Sequence, residues 1–148
     1  MKDIYILIGA PGSGKSTWAN ENFAPACIIS SDNVREYMYG DAQIQGNPWP
    51  VIYSILESKL DSDLQTVVFD ATNVKRKDRR RLINFIRIHA TGEFNLYGVI
   101  FNVDKKELYR RNEIRDKPVP KGVIDKMLSS LSGGPPTSDE GFTQLLEV

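Results

Sequence analysis

The chain has 148 residues, the size of one domain with an ordinary core, and its 19 Lys and Arg are balanced by 19 Asp and Glu. Zero net charge excludes recruitment of a polyanion or an anionic membrane by a global field, so such a ligand needs a local patch. One cysteine, Cys27 in the apolar run 26–29, excludes an internal disulfide; with no leader ahead of the first strand and no apolar run of membrane-spanning length, a cytoplasmic protein is expected.

The first stretch, 3–8, is a short and almost uninterrupted apolar run, the pattern of a strand buried on both faces. Positions 9–16 then fit G-x-x-x-x-G-K-[ST] without a mismatch, and the residues from Ser16 onward can begin a helix. The spacing has a physical reading. Gly9, Gly12 and Gly14 remove the β-carbons that would keep a polyphosphate off the backbone, so that successive N–H groups and a helix N-terminus face the anion. Lys15 bridges terminal phosphates in such a loop and the Ser16 hydroxyl ligates magnesium. Gly9, Gly12, Ser13, Gly14, Lys15, Ser16 and Thr17 are therefore the expected nucleotide cradle, with ATP or another nucleoside triphosphate and Mg2+ as the groups bound.

A short helix ending before Pro25 leads to a predicted second strand at 26–29, and Ser30 to Asn33 read as a helix start. That helix stops at Gly40, and 41–48 is turn chemistry. Apolar residues at 51, 52, 55, 56 and 60 predict a helix over 50–60. A third buried strand at 66–69 precedes the run Asp-Ala-Thr-Asn at 70–73 and a basic helix over 75–89, and a fourth strand is predicted at 94–103. Asp104 and Glu107 have capping-box spacing for a helix running toward Arg115. A further helix at 121–131, a Gly-Gly-Pro-Pro break and a fifth strand within 142–148 complete the chain. Strands alternating with helices define an α/β fold with a mostly parallel sheet of about five strands, whose ligand crevice lies beyond the carboxyl ends of the strands.

Several side chains should converge there. Asp70 reads either as a metal-side carboxylate or as a turn-capping aspartate, and Asp32 either as a base or as an ordinary helix cap. Arg111 and Arg115, four apart, suit a shared anion, while Glu107 stands at pairing distance from Arg111. The basic run 75–81 reads as a solvated helix face or as a binder of strand phosphates. Trp49 and Tyr53 read as base-stacking groups or as a core lid, and His89 as a helix-end residue without chemistry.

Taken together, the ordered set resembles the kinase domain of the polynucleotide 5′-hydroxyl kinase family, which includes phage polynucleotide kinases and the kinase half of DNA-repair end-healing enzymes. The resemblance runs through nearly the whole chain: positions 9–17, Ser31 and Asp32 with Arg35 one turn later, Asp70 to Asn73, Arg111 and Asn112 with Arg115, Val119 and Pro120 opening a helix, and Pro136 with Glu140 to Phe142. It implies a P-loop kinase fold in a single domain, 1–148, with a small helical lid at about 104–118; as a departure from the family, a minimal stand-alone kinase without a phosphatase or ligase segment is expected. It further implies that Lys15, Asp32, Arg35, Arg111 and Arg115 carry catalysis, with Asp32 as general base, Arg35 on the acceptor phosphate and the other two arginines on the ATP phosphates. Ser16 and Asp70 would hold the metal, and Arg35, Thr72, Asn73 and Arg76 the acceptor, a DNA or RNA 5′-hydroxyl end; no membrane or protein partner is implied. Two positions depart from the family pattern. Ser31 stands where phage enzymes often have arginine, and Ala71 stands directly before Thr72 and Asn73 where their acidic residue lies. The alternatives on the same residues are a kinase for a nucleoside, sugar or antibiotic, and an ATP-binding regulator without transfer.

Overall fold

In the computed structural model, which describes residues 1–44 and 46–148, strands and helices alternate as β1 (Lys2–Ile8), α1 (Lys15–Asn22), β2 (Ile28–Ser30), α2 (Ser31–Tyr39), α3 (Trp49–Leu60), β3 (Thr66–Asp70), α4 (Arg76–His89), β4 (Phe94–Ile100), α5 (Lys105–Glu113), α6 (Lys121–Gly133) and β5 (Gln144–Glu147). The five strands form one sheet in the order β2-β3-β1-β4-β5, and every pairing is parallel.

β1 lies at the centre with helices on both faces, which is why its sequence is an apolar run rather than an alternation. Ile4, Ile6 and Ile8 pack on one face with Ile52, Leu56 and Leu60 of α3 and Leu82, Ile83 and Ile86 of α4. Leu7 packs on the other with Ala19 of α1, Val68 and Val99. Each fully buried side chain of this size contributes about 1.5–3 kcal/mol, so the strand that launches the glycine-rich loop is also the most firmly held. A third cluster, Ala10, Leu108 and Ile124, seats α5 and α6 against the start of that loop.

Helix ends follow local chemistry. The Ser30 hydroxyl accepts a hydrogen bond from the Asn33 backbone N–H at 3.2 Å and opens α2, and Gly40 closes it with a φ of 77°. Asn112 is buried and clamps the 113–118 segment: its amide donates to the Val119 carbonyl at 2.8 Å and its side-chain oxygen accepts from the Val119 N–H at 3.0 Å.

Four sequence expectations are corrected. The second strand is Ile28–Ser30 rather than 26–29, because Pro25 starts a one-turn 3-10 helix closed by Cys27 N–H donating to the Ala24 carbonyl. The fourth strand ends at Ile100 rather than 103: Phe101 N–H donates to the Ile8 carbonyl, and past that point β1 has turned away into the loop. α5 ends at Glu113, so Arg115 lies in the following turn. Asp104 makes no cap hydrogen bond, and Glu107 turns instead to Arg110 and Arg111. In the predicted 41–48 turn, Gln45 lies outside the described residues.

Candidate active site

The loop after β1 has the geometry its glycines require. Gly12 and Gly14 adopt φ values of 82° and 98°, where a β-carbon is strained. At Gly9 the constraint is contact, since a Cβ would lie 2.6 Å from the Ser13 hydroxyl oxygen and 3.1 Å from Phe101 Cβ. That Ser13 hydroxyl is buried and has no hydrogen-bond partner among the described residues, an arrangement that costs about 1–3 kcal/mol unless a ligand oxygen meets it. Lys15, 8% exposed at the first position of α1, donates from Nζ to the Ala10 carbonyl at 3.0 Å, curling over the loop. Burial pulls the lysine down to about 8; Asp70 and Asp32 oppose this, and Arg115 adds to it. These charges place all three residues within Coulomb reach of Lys15. Ser16 and Thr17 follow, exposed on the first turn of α1.

From the neighbouring strand, Asp70 ends β3 and accepts a hydrogen bond from the Ser16 hydroxyl at 2.6 Å. Burial raises the Asp70 carboxyl, while Ser16 and Lys15 pull it back and Asp32 adds repulsion. The pair supplies two hard oxygen donors beside the loop. Mg2+ takes one or two protein oxygens and completes its shell with phosphates and water, so these residues fit it. The unpartnered Ser13 hydroxyl, the bare glycine backbone and Lys15 fit a polyphosphate in the same place.

Asp32 is exposed on the first turn of α2. Arg35 follows one turn later, its guanidinium carbon 5.7 Å from the centroid of the Trp49 ring. Trp49 is 38% exposed and opens α3, whereas Tyr53, one turn on, is half-buried with its ring edge against Phe85 at 4.7 Å. Trp49 is thus a surface group and Tyr53 a core one. His89 stacks near Phe85 and lies 3.3 Å from Glu57, away from the crevice elements.

Across the loop, Arg111 of α5 donates from Nη1 to the Gly12 carbonyl at 3.0 Å and from Nε to Glu107 at 3.0 Å. Of the two expected partners, a shared anion and Glu107, the glutamate is engaged, and the contact with the Gly12 carbonyl is one the sequence did not suggest. Arg110 and Arg111 hold the Glu107 carboxyl down to about 2.

The remaining acceptor candidates are placed differently. The Thr72 carbonyl accepts from the Gly9 N–H at 2.9 Å. Asn73 is buried with a φ of 49°, and its amide donates to the Leu7 carbonyl at 2.8 Å and the Ala71 carbonyl at 3.3 Å, so it braces the end of β1 rather than facing a ligand. Arg76 points toward Asp139 at 3.5 Å.

Arg79, read as part of a solvated or strand-binding run, is fully buried. It bonds Glu140 at 2.8 Å, the Asn73 carbonyl at 3.0 Å and the Gly134 carbonyl at 2.6 Å. The signal for it was helical phase, since position 79 lies three, four and seven residues before the core positions 82, 83 and 86. A cleft of about 400 Å3 opens between Lys2, Ser62 and Gly92, where β1, β3 and β4 begin, at the end of the sheet opposite the loop.

A phosphate loop between a central parallel strand and a helix, with an acid on the adjacent strand and an arginine-bearing helix packed over it, defines a P-loop nucleotide-binding α/β protein. Residues 4–133 match the family described as AAA domain, and the chain belongs to that family. Among solved structures it is similar to a chain of the Pnkp1/Rnl/Hen1 RNA repair complex, with 25% identity, a TM-score of 0.72, and 89% of this chain aligned to 44% of that one; it spans less than half of that protein's length. A sugar kinase from Janibacter sp. HTCC2649 gives 16% identity and a TM-score of 0.64 over 99% of this chain and 86% of its own. The tunicamycin resistance protein of Deinococcus radiodurans gives 14% and 0.58 over 99% and 86%. The fold is that of the P-loop kinases. Among the described residues no helix is long and apolar enough to cross a membrane.

Proposed function

We propose that the chain is an ATP-dependent polynucleotide 5′-hydroxyl kinase, moving the γ-phosphoryl group of ATP to a 5′-hydroxyl end of RNA or DNA. The observation that carries this reading is the position of Asp32. It stands exposed at the start of α2, close enough to Lys15 to raise that lysine's proton affinity, with Arg35 one turn beyond and lying over Trp49. A phosphoryl group held on the loop would have on its β2 side a carboxylate that can take a hydroxyl proton, with a cation and an indole on the same side suited to a nucleotide's phosphate and base. The likeness to a chain of an RNA repair complex supports the same acceptor class.

In the transfer, the acceptor oxygen bonds to the γ-phosphorus as the bond from that phosphorus to the bridging oxygen breaks. ADP leaves and the hydroxyl proton passes to Asp32. Loop N–H groups, Ser13 and Lys15 hold the donor in line, and Arg111 and Arg115, on a lid at 104–118 of a single domain, bear on the charge that develops. Magnesium, when bound at Ser16 and Asp70, offsets phosphate charge. Incubation with γ-labelled ATP and 5′-hydroxyl oligonucleotides tests the reading. Labelled 5′ ends are expected, and no label on single-stranded RNA, single-stranded DNA or nicked duplex sinks it.

The second reading, a small-molecule kinase, is favoured by the zero net charge and by the pairing of Arg79 with Glu140 and of Arg76 with Asp139, which removes two cations from the basic run. Salt separates the two, because polynucleotide binding weakens steeply with salt through counterion release and a nucleoside or sugar does not.

A further inference from the structure

We infer that the groove between α4 and the 138–141 turn is a binding track for the phosphodiester backbone of the substrate strand. This inference rests on the polynucleotide reading above and extends it from the reacting end to the nucleotides behind it.

Arg76, Arg80, Asn84 and Arg87 fall four, four and three residues apart, one face of α4, and with Asp139 and Glu140 they line a groove of about 270 Å3. Its two carboxylates are already committed: Glu140 to Arg79 and to the Thr137 N–H, Asp139 to Arg76 and to the Thr137 hydroxyl. Arg80 and Arg87 are exposed and, among the described residues, neither has a carboxylate within ion-pair distance, so the groove presents cations in excess.

The groove is also shaped for one of them. Gly141 has a φ of 119°, and a Cβ there would run into the Arg87 guanidinium and lie 3.3 Å from Ile83 Cγ2. The guanidinium therefore rests against bare backbone, and Arg87 is exposed, so a phosphate can reach it. Position and length fit a strand. The stripe begins where α4 leaves the Asp70 to Asn73 loop at the crevice and runs about 16 Å down the helix, on the order of four to five nucleotides of one strand. The contacts involve charge and no base edge, so the track is sequence-independent.

The test measures binding without turnover. Fluorescence anisotropy compares the full chain with 5′-hydroxyl RNA and DNA strands of three and of twelve nucleotides, across a salt series without ATP. The wild type binds the twelve-nucleotide strand more tightly. In the Arg80→Gln/Arg87→Gln double variant that advantage shrinks at least threefold, and the log–log salt slope falls by about 1.4, two phosphate contacts on a single strand. A Lys75→Gln/Lys77→Gln double variant removes the same charge at the N-terminal end of α4, outside the residues that line the groove, and keeps the advantage. Equal loss in both double variants overturns the track, as does a wild type that labels a trinucleotide yet gains nothing from length. Absence of any transfer from labelled ATP is a separate readout and strikes the kinase reading itself. Whether RNA or DNA gains more from length tells which backbone the track serves.

Discussion

Arg79 and Glu140, sixty-one residues apart, form an ion pair with side-chain exposures of 0% and 4%. Through the Asn73 carbonyl the same guanidinium reaches the loop whose Thr72 and Asn73 hold Gly9 and Leu7. The pair therefore ties the last segment of the chain to the base of the phosphate loop. Removing one partner strands a buried charge, so Arg79→Met or Glu140→Leu should lower unfolding free energy by about 3–5 kcal/mol, and the double substitution should recover much of that loss. Denaturant unfolding of the three variants checks it; single variants within about 1 kcal/mol of wild type would show that the pair is dispensable.

Lys15 links stability to pH. Burial holds it at about 8 in the fold, against roughly 10.4 in an unfolded chain, so between those values the unfolded state binds more protons. For this group stability rises with pH across that window and is level below it. Lys15→Met relieves the burial cost of the charge at pH 7: the ligand-free protein should melt higher, and ATP should no longer protect it. A lower melting point combined with intact ATP protection would falsify this account.

Asp32→Asn keeps the size of the side chain and removes the proton acceptor. Transfer should fall by about 10²–10⁴ while ATP binding, read by calorimetry, is unchanged. An unchanged rate would remove Asp32 from the proton transfer and leave positioning by the loop and arginines to account for it.

Arg111→Lys retains charge but loses the fork that serves the Gly12 carbonyl and Glu107 together. Its kcat should drop by on the order of 10²–10³, with little change in ATP affinity. A defect confined to ATP affinity would make Arg111 a binding group only.

The fold was legible because most of its signals are local and agree: an apolar run for each central strand, turn or cap chemistry at several helix ends, with Asp104 an exception, and one contiguous loop motif. Lys15, Ser16 and Asp70 lie together because strand ends in a parallel sheet share one rim. Asn73, Arg76 and Arg79 were harder. A sequence gives their residue types, whereas their partners, Leu7, Asp139 and Glu140, lie 66, 63 and 61 residues away and are set by packing alone. Asn73 also needs the left-handed backbone it adopts, which asparagine tolerates better than most residues, and nothing in Asp-Ala-Thr-Asn separates that use from ligand binding.

With β1 at the middle of the sheet, the phosphate loop divides the rim into two jaws encoded by separate stretches, 28–61 on the β2 side and 101–133 on the β4 side. Arg111 reaches the loop from the second jaw, while Asp32, Arg35 and Trp49 belong wholly to the first. On the polynucleotide reading, exchanging Asp32, Arg35 and Trp49 while keeping the core residues Ile52, Leu56 and Leu60 should change which acceptor is used without disturbing how ATP is held. The molecule is built as a fixed vice with one replaceable cheek.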